Sequence, residues 1–266
     1  MMMFASDLDR TLIYSKRAVQ EFSGDISDLK QVEIKGNKAL SFMTFQACEL
    51  LWDIATRTLF VPITTRSNEQ FNRLSLLGDI PHLYAVTANG AHLFYKGKLD
   101  KQWEETILRR LKKEVASVQE LKYVLSSHHI VLEGKERIVD DLFFYYILSR
   151  PQDILDLEKI HPLITAIGWR FSQQGRRLYF VPTPVCKGEA IKYIKEREGI
   201  KTIIGAGDSR LDEDFLKLCD VGYVPRHGEI VANGLIHDGY QITKSYGVKA
   251  GEEILASVRN ILPTSS

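Results

Sequence analysis

Short apolar runs that end in polar residues and lead into helix-patterned stretches recur at both ends of this chain. That alternation restricts its core to a parallel sheet with helices packed against it. Met3-Phe4-Ala5-Ser6 stops at Asp7, Leu59-Phe60-Val61-Pro62-Ile63 stops at Thr64-Thr65-Arg66, and Thr202-Ile203-Ile204-Gly205 leads to the acidic loop Asp208 to Asp212. In such sheets the residues just past the strands' carboxyl ends line the ligand crevice. Residues almost two hundred positions apart are therefore predicted to meet at one edge.

The helices of this alternation are marked by caps and apolar spacing. Thr44 is the predicted N-cap of a helix through Arg57, with Phe45, Cys48, Leu51, Trp52 and Ala55 as its core stripe. Ser67 caps a predicted helix carrying Phe71, Leu74 and Leu77, and Tyr84-Ala85-Val86 follows as a third strand. Further helices are expected from Lys187 to Arg197 and from about Lys249 to Ile261, with Val221-Gly222-Tyr223-Val224 as the last strand. Gln31–Ile34 and Ala39–Phe42, flanking Lys35-Gly36-Asn37-Lys38, read as a hairpin over the site.

Beyond Asn89 the texture changes. A hairpin from His92 to Leu99, one long charged helix from about Lys101 to Leu125, and strands at Ile130-Val131-Leu132 and Leu142 to Leu148 precede a helix start at Pro151. Trp169-Arg170-Phe171 and Leu178–Val181 then read as strands paired around Gly175. Strands bunched between helices indicate an α+β unit. The fold class expected is α/β, a Rossmann-like parallel-sheet core over residues 1–88 and 183–266 with an inserted α+β domain over 89–182.

Two carboxylates one residue apart, Asp7 and Asp9, face different neighbours and can do different work. Asp7 is placed to attack phosphorus, and Asp9 to protonate a leaving oxygen and then activate water. An anionic nucleophile approaching an anionic phosphate needs a hard cation, and Mg2+ with oxygen ligands suits that need. Asp208 and Asp212 supply the remaining carboxylates, while the Thr64 hydroxyl and the Lys187 ammonium suit equatorial phosphoryl oxygens. Lys187 opens its helix beside Gly188, where free N–H groups also favour an anion.

Composition narrows the partners. With 266 residues and a formal net charge of +1, the chain carries no wholesale attraction for nucleic acid or an anionic membrane. Cys48, Cys186 and Cys219 form no metal spacing and suit a reducing compartment. The apolar start, broken at Asp7, is too short for a signal-peptide core or a membrane span, so a cytoplasmic location is expected. A small-molecule phosphate ester is the expected partner, with no nucleic acid and no membrane. The sequence leaves oligomeric state open. Gly205-Ala206-Gly207 lacks the third glycine of a dinucleotide fingerprint, Arg210 standing there. His128-His129, His161, His227 and His237 read as surface or inserted-domain residues, and Arg109-Arg110 with Lys112-Lys113 as a solvated helix face. Of Arg176 and Arg177 beside the alternating Leu178-Tyr179-Phe180, Arg177 is expected to face an acidic substrate.

These residues together resemble the haloacid dehalogenase-like superfamily of aspartate-nucleophile phosphatases, subclass IIB, the Cof-type and sucrose-phosphatase-like group. The matching motifs are Asp7-Leu8-Asp9-Arg10-Thr11-Leu12, Thr64-Thr65-Arg66, Lys187-Gly188 and Gly207-Asp208-Ser209-Arg210-Leu211-Asp212. The inserted unit, with Asn89-Gly90-Ala91 at its entrance, is similar to that subclass's cap domain. The resemblance implies an Mg2+-dependent hydrolysis of a small phosphate monoester, a sugar phosphate or phosphorylated sugar acid, through an aspartyl-phosphate on Asp7. It implies metal contacts from Asp7, the Asp9 carbonyl, Asp208 and Asp212, and substrate contacts from Asn89 and Arg66. Arg10 and Thr65 stand where the family usually has glycine, and Leu211 where it has asparagine; Arg10 is thereby a candidate for a second anionic group on the substrate. A phosphomutase of the phosphomannomutase kind, and a noncatalytic binding or regulatory protein of the same fold, are the alternatives.

Overall fold

The computed structural model describes residues 1–22, 29–149 and 155–263. The helix start expected at Pro151 lies outside the described residues. The chain divides into two compact units, one made of Met1–Leu99 with Lys187–Ser266 and the other of Asp100–Cys186.

The first unit is built on a five-stranded, all-parallel sheet in the order Tyr240–Ile242, Val221–Val224, Thr202–Ala206, Met2–Ser6, Leu59–Pro62. Met2–Ser6 is central, and Ser6 is level with both Ala206 and Pro62. That register brings three strands to their carboxyl ends together. The ladder continues one residue further, with the Asp7 N–H donating to the Ala206 carbonyl at 2.8 Å and the Ile63 N–H to the Ser6 carbonyl at 2.8 Å. Val221–Val224 is not the last strand. Tyr240–Ile242 adds to its edge, a three-residue run too short to read from alternation.

Helix Phe45–Arg57 starts where expected, Thr44 Oγ1 accepting from the Ala47 N–H at 3.0 Å. Its buried face is Ala47, Cys48, Leu50, Leu51, Ile54 and Ala55, whereas Phe45 and Trp52, expected in the core, are 50% and 53% exposed. Cys48, Leu51 and Ala55 of the expected stripe are in the core, and the buried face is rotated by about a quarter of a turn from that stripe. The helix expected after Ser67 is two short pieces, Asn68–Phe71 and Ser75–Asp79. Between them Leu74 leaves helical geometry and its backbone bridges Glu33 of the neighbouring hairpin. Tertiary pairing overrides local propensity there. Tyr84–Thr87 is a strand, but it pairs antiparallel with His92–Tyr95 and meets the parallel sheet through a bridge from Val86 to Ile63.

The hairpin read over residues 31–42 is present as Leu29–Lys35 paired with Lys38–Thr44. Its register shifts on both sides of Glu33, and the successive residues Val32 and Glu33 are both buried. A bulge of this kind breaks the alternation of a strand and re-aims one side chain.

In the second unit the sheet order is Trp169–Gln174, Arg177–Pro182, Phe143–Leu148, Gly134–Val139, all antiparallel. Phe144, Tyr146 and Leu148 on one strand, and Leu178 and Phe180 on the next, share a face by period two and pack with the helical residues Leu121, Leu125 and Ile164. The single helix expected from Lys101 is broken into Lys101–Glu114 and Val118–Ser127. Ser117 and Glu120 form a capping box that restarts it, and Gly168, at φ +80°, approaches the Glu114 carbonyl so closely that a Cβ there would stand 2.1 Å away. The strand expected at Ile130–Leu132 is absent. His129 turns through a left-handed φ of 58° and the Ile130 N–H closes on the Leu125 carbonyl, so Ile130 and Leu132 pack against the core outside any strand while Val131 is exposed. Among the described residues no helix is long and apolar enough to cross a membrane.

Candidate active site

Asp7, Thr64 and Asp208 each lie one or two residues past the carboxyl end of an adjacent strand, and Lys187 opens helix Lys187–Glu198. Lys187 is 1% exposed, and its Nζ lies 2.7 Å from Asp7 Oδ1 and 2.6 Å from Asp212 Oδ1. Asp7 Oδ2 accepts from the Thr11 hydroxyl at 3.1 Å. Asp212 Oδ2 accepts from the N–H groups of Asp208 (3.0 Å) and Ser209 (2.9 Å) and from the Ser209 hydroxyl (2.7 Å). Asp212 thus starts helix Glu213–Leu216 without capping it, its carboxylate turned back onto its own loop. The glycine before that loop has a packing reason: a Cβ on Gly207 would lie 2.5 Å from the Asp212 Cβ.

Carboxylate oxygens of Asp7, Asp208 and Asp212, all buried, lie within 4.8 Å of one another. Arg10 reaches the group from outside, its Nε 3.4 Å from Asp208 Oδ2 and its guanidinium over the Phe22 ring. Burial pushes the Asp7 carboxyl up to about 7 against the pull of Lys187, with Asp212 and Asp9 adding to the rise. Burial also raises Asp208 well above the carboxylate range, reinforced by Asp7 and Asp212. For Lys187 burial disfavours the charge, but Asp212 and Asp7 outweigh it and its pKa rises. Three acids share two cations here, and their hard oxygen donors fit Mg2+, whose charge would offset what burial takes from the carboxylates.

Asp9 stands apart from this group. Arg66 grips it with two parallel bonds, Nε to Oδ2 at 2.7 Å and Nη2 to Oδ1 at 2.8 Å. The Arg66 N–H also donates to Thr64 Oγ1 at 3.1 Å, which leaves the buried Thr64 hydroxyl proton to donate elsewhere. Asn89, fully buried, has φ 57° and ψ 28°, between Ala88 at φ 47° and Gly90 at φ 102°. Its N–H donates to the Thr64 carbonyl at 2.9 Å, and that of Ala88 to the Arg66 carbonyl at 2.7 Å, so this strained turn is tied to the Thr64 loop. Arg177 belongs to the second unit, where it is exposed and lies over the Tyr145 ring.

Two residues with a place here were not singled out from the sequence. Glu33 is buried between Arg66 and Arg73 and had no signal beyond its hairpin. His227, grouped with surface histidines, is largely buried in the first unit. Its Nδ1 accepts from the Gly247 N–H at 3.2 Å, so Nε2 donates to the Arg10 carbonyl at 2.9 Å. Burial pulls its pKa down to about 4. That contact props the loop in which Arg10 takes a left-handed φ of 67°.

No family model matches this chain, and no curated protein is similar to it in sequence. Its fold is shared with solved structures. A sucrose-phosphatase from Synechocystis, solved with sucrose and phosphate, superposes with a TM-score of 0.68 at 16% identity, covering 97% of each chain. The fold is that of the haloacid dehalogenase-like phosphatases. A haloacid dehalogenase-like hydrolase of Bacillus subtilis (TM-score 0.53, 17% identity, 97% of this chain and 91% of that one) shares it. So does the C-terminal domain of a C. albicans trehalose-6-phosphate phosphatase (0.57, 12%, 98% and 93%). The left-handed φ at Arg10 gives a physical reason for the glycine usual at that position in the superfamily that the motif resembles.

Proposed function

We propose that this chain hydrolyses a small phosphate monoester through an aspartyl-phosphate on Asp7. The observation that carries the reading is the convergence of Asp7, Asp212 and Lys187, three segments brought within hydrogen-bond distance at the carboxyl edge of a parallel sheet, with Asp208 beside them. A solvated surface would not gather three buried carboxylates around a buried lysine.

In this reading an Asp7 carboxylate oxygen attacks phosphorus, the ester P–O bond breaks, and Asp9 gives its proton to the departing alcohol. Water then attacks the phosphorus of the aspartyl-phosphate, Asp9 takes the water's proton, and phosphate leaves with Asp7 restored. The Lys187 ammonium and the Thr64 hydroxyl hold equatorial oxygens of the transferring group. Asp7, Asp208 and Asp212, with the Asp9 carbonyl, would hold Mg2+, which supplies counter-charge to the carboxylates and to the phosphate. Sugar phosphates are the proposed substrate class, supported by neighbours that include a sucrose-phosphatase and a trehalose-6-phosphate phosphatase.

The test is phosphate release from a panel of phosphate monoesters, with Mg2+ and after rigorous chelation, for the wild type and for Asp7→Asn. Release that requires the cation and Asp7 is expected. Release that survives both removals overturns the assignment.

A further inference from the structure

We propose that Glu33 of the bulged hairpin is a positioning residue for the proton-transfer carboxylate, acting through Arg66. The inference rests on the phosphatase reading above and adds a residue that none of the motifs contains.

Arg66 has five N–H donors in a rigid planar fork. Its Nε bonds Asp9 Oδ2; Nη2 bonds Asp9 Oδ1 and, at 3.3 Å, the Ser41 hydroxyl oxygen; Nη1 lies 2.9 Å from Glu33 Oε2 and 3.5 Å from the Gln70 carbonyl. Every donor has an acceptor, and the acceptors lie on opposite sides of the guanidinium. Asp9 takes one side while Glu33, Ser41 and Gln70 fix the other. The plane of the fork, and with it the setting of the Asp9 carboxylate, is therefore determined from behind.

Glu33 is itself held firmly. Its side chain is 3% exposed, Ser41 Oγ donates to Oε2 at 2.7 Å, and Arg73 Nε lies 3.3 Å from Oε1. The strand bulge is what turns it inward, since regular alternation after the buried Val32 would send residue 33 to solvent. Arg66 and Arg73 thus share one buried carboxylate. Neutralising it leaves two guanidinium groups without the charge between them, and Arg66 with Asp9 as its remaining counter-charge. The fork then loses its charged anchor from behind and can turn in its plane, and the Asp9 carboxylate it grips turns with it, away from the leaving oxygen.

The test compares two leaving groups. p-Nitrophenolate departs without help, whereas the alcohol of a hexose 6-phosphate needs a proton as the P–O bond breaks. In the full chain with Mg2+, Glu33→Gln is expected to lower kcat/KM, which reports only the steps up to departure of the alcohol, by tenfold or more on the hexose phosphate and by less than threefold on p-nitrophenyl phosphate. Asp9→Asn should show the same imbalance more strongly. Ser41→Ala, which keeps the charge and removes a hydroxyl, gives a milder version and serves if Glu33→Gln does not fold. Equal slowing of both substrates, or slowing of neither, overturns the positioning role while leaving the phosphatase reading intact. A wild type inactive on both substrates and on the wider panel overturns the reading itself, and the inference with it.

Discussion

Asp7→Asn is expected to make the metal-free protein more stable while removing its activity. Burial moves the Asp7 carboxyl from 3.8 to about 7, so its ionised form is disfavoured by about 1.4 kcal/mol for each tenfold in proton affinity. The folded state binds the proton more tightly than the unfolded chain, so stability falls as pH rises between about 4 and 7. Above pH 7 the loss is complete, at about 4 kcal/mol. Asparagine matches the shape and stays neutral: its oxygen can face Lys187 Nζ, and its amide can face Thr11 Oγ1, whose hydroxyl is free to turn and accept. Sharing of charge with Asp208 spreads the effect, so the gain expected at pH 8 is about 2–4 kcal/mol. The assay is urea denaturation in the presence of a chelator at pH 5 and pH 8. The advantage of Asp7→Asn should grow by about 1–3 kcal/mol between the two pH values and shrink when Mg2+ stabilises the wild type. A variant equal to or less stable than the wild type at pH 8 refutes the argument that burying the Asp7 charge strains this site.

Two further predictions use other parts of the molecule. Arg10→Gly removes a cation 3.4 Å from Asp208 at a position already in glycine-like geometry, so Mg2+ or Mn2+ should bind the metal-free protein about tenfold more tightly by calorimetry, as expected for about 1–2 kcal/mol of partly screened repulsion; weaker binding would show that Arg10 supports the cation site. Gly168→Ala should destabilise the second unit by more than about 2 kcal/mol in urea denaturation, because its Cβ would stand 2.1 Å from the Glu114 carbonyl at φ +80°; a neutral effect contradicts the close approach.

The parallel core and the convergence of its strand ends were legible because each strand is an apolar run that stops at a polar residue, and the parallel register does the rest. Asp7, Thr64 and Asp208 stood out as such strand ends, and Lys187 and Asp212 as charged residues at helix starts. Glu33 could not, since its inward orientation depends on a bulge that alternation does not encode. His227 was hidden because its environment comes from Tyr14, Phe22 and Gly247, which are remote in sequence. The break at Ser117 was in plain view as Ser117-Val118-Gln119-Glu120, but the charged pattern running through it favoured one long helix. On the helix after Thr44 the expected Cys48, Leu51 and Ala55 are buried, but Phe45 and Trp52 lie at the exposed edge, and the smaller Ala47, Leu50 and Ile54 complete the buried face instead.

The central claim is that Asp7 becomes phosphorylated during turnover. Borohydride quenching of the enzyme with substrate and Mg2+ reduces an acyl-phosphate to an alcohol, and peptide mass spectrometry locates the altered residue. The account predicts conversion at Asp7, absent without substrate and absent in Asp7→Asn. Turnover with no modified aspartate, or modification confined to another residue, would contradict it.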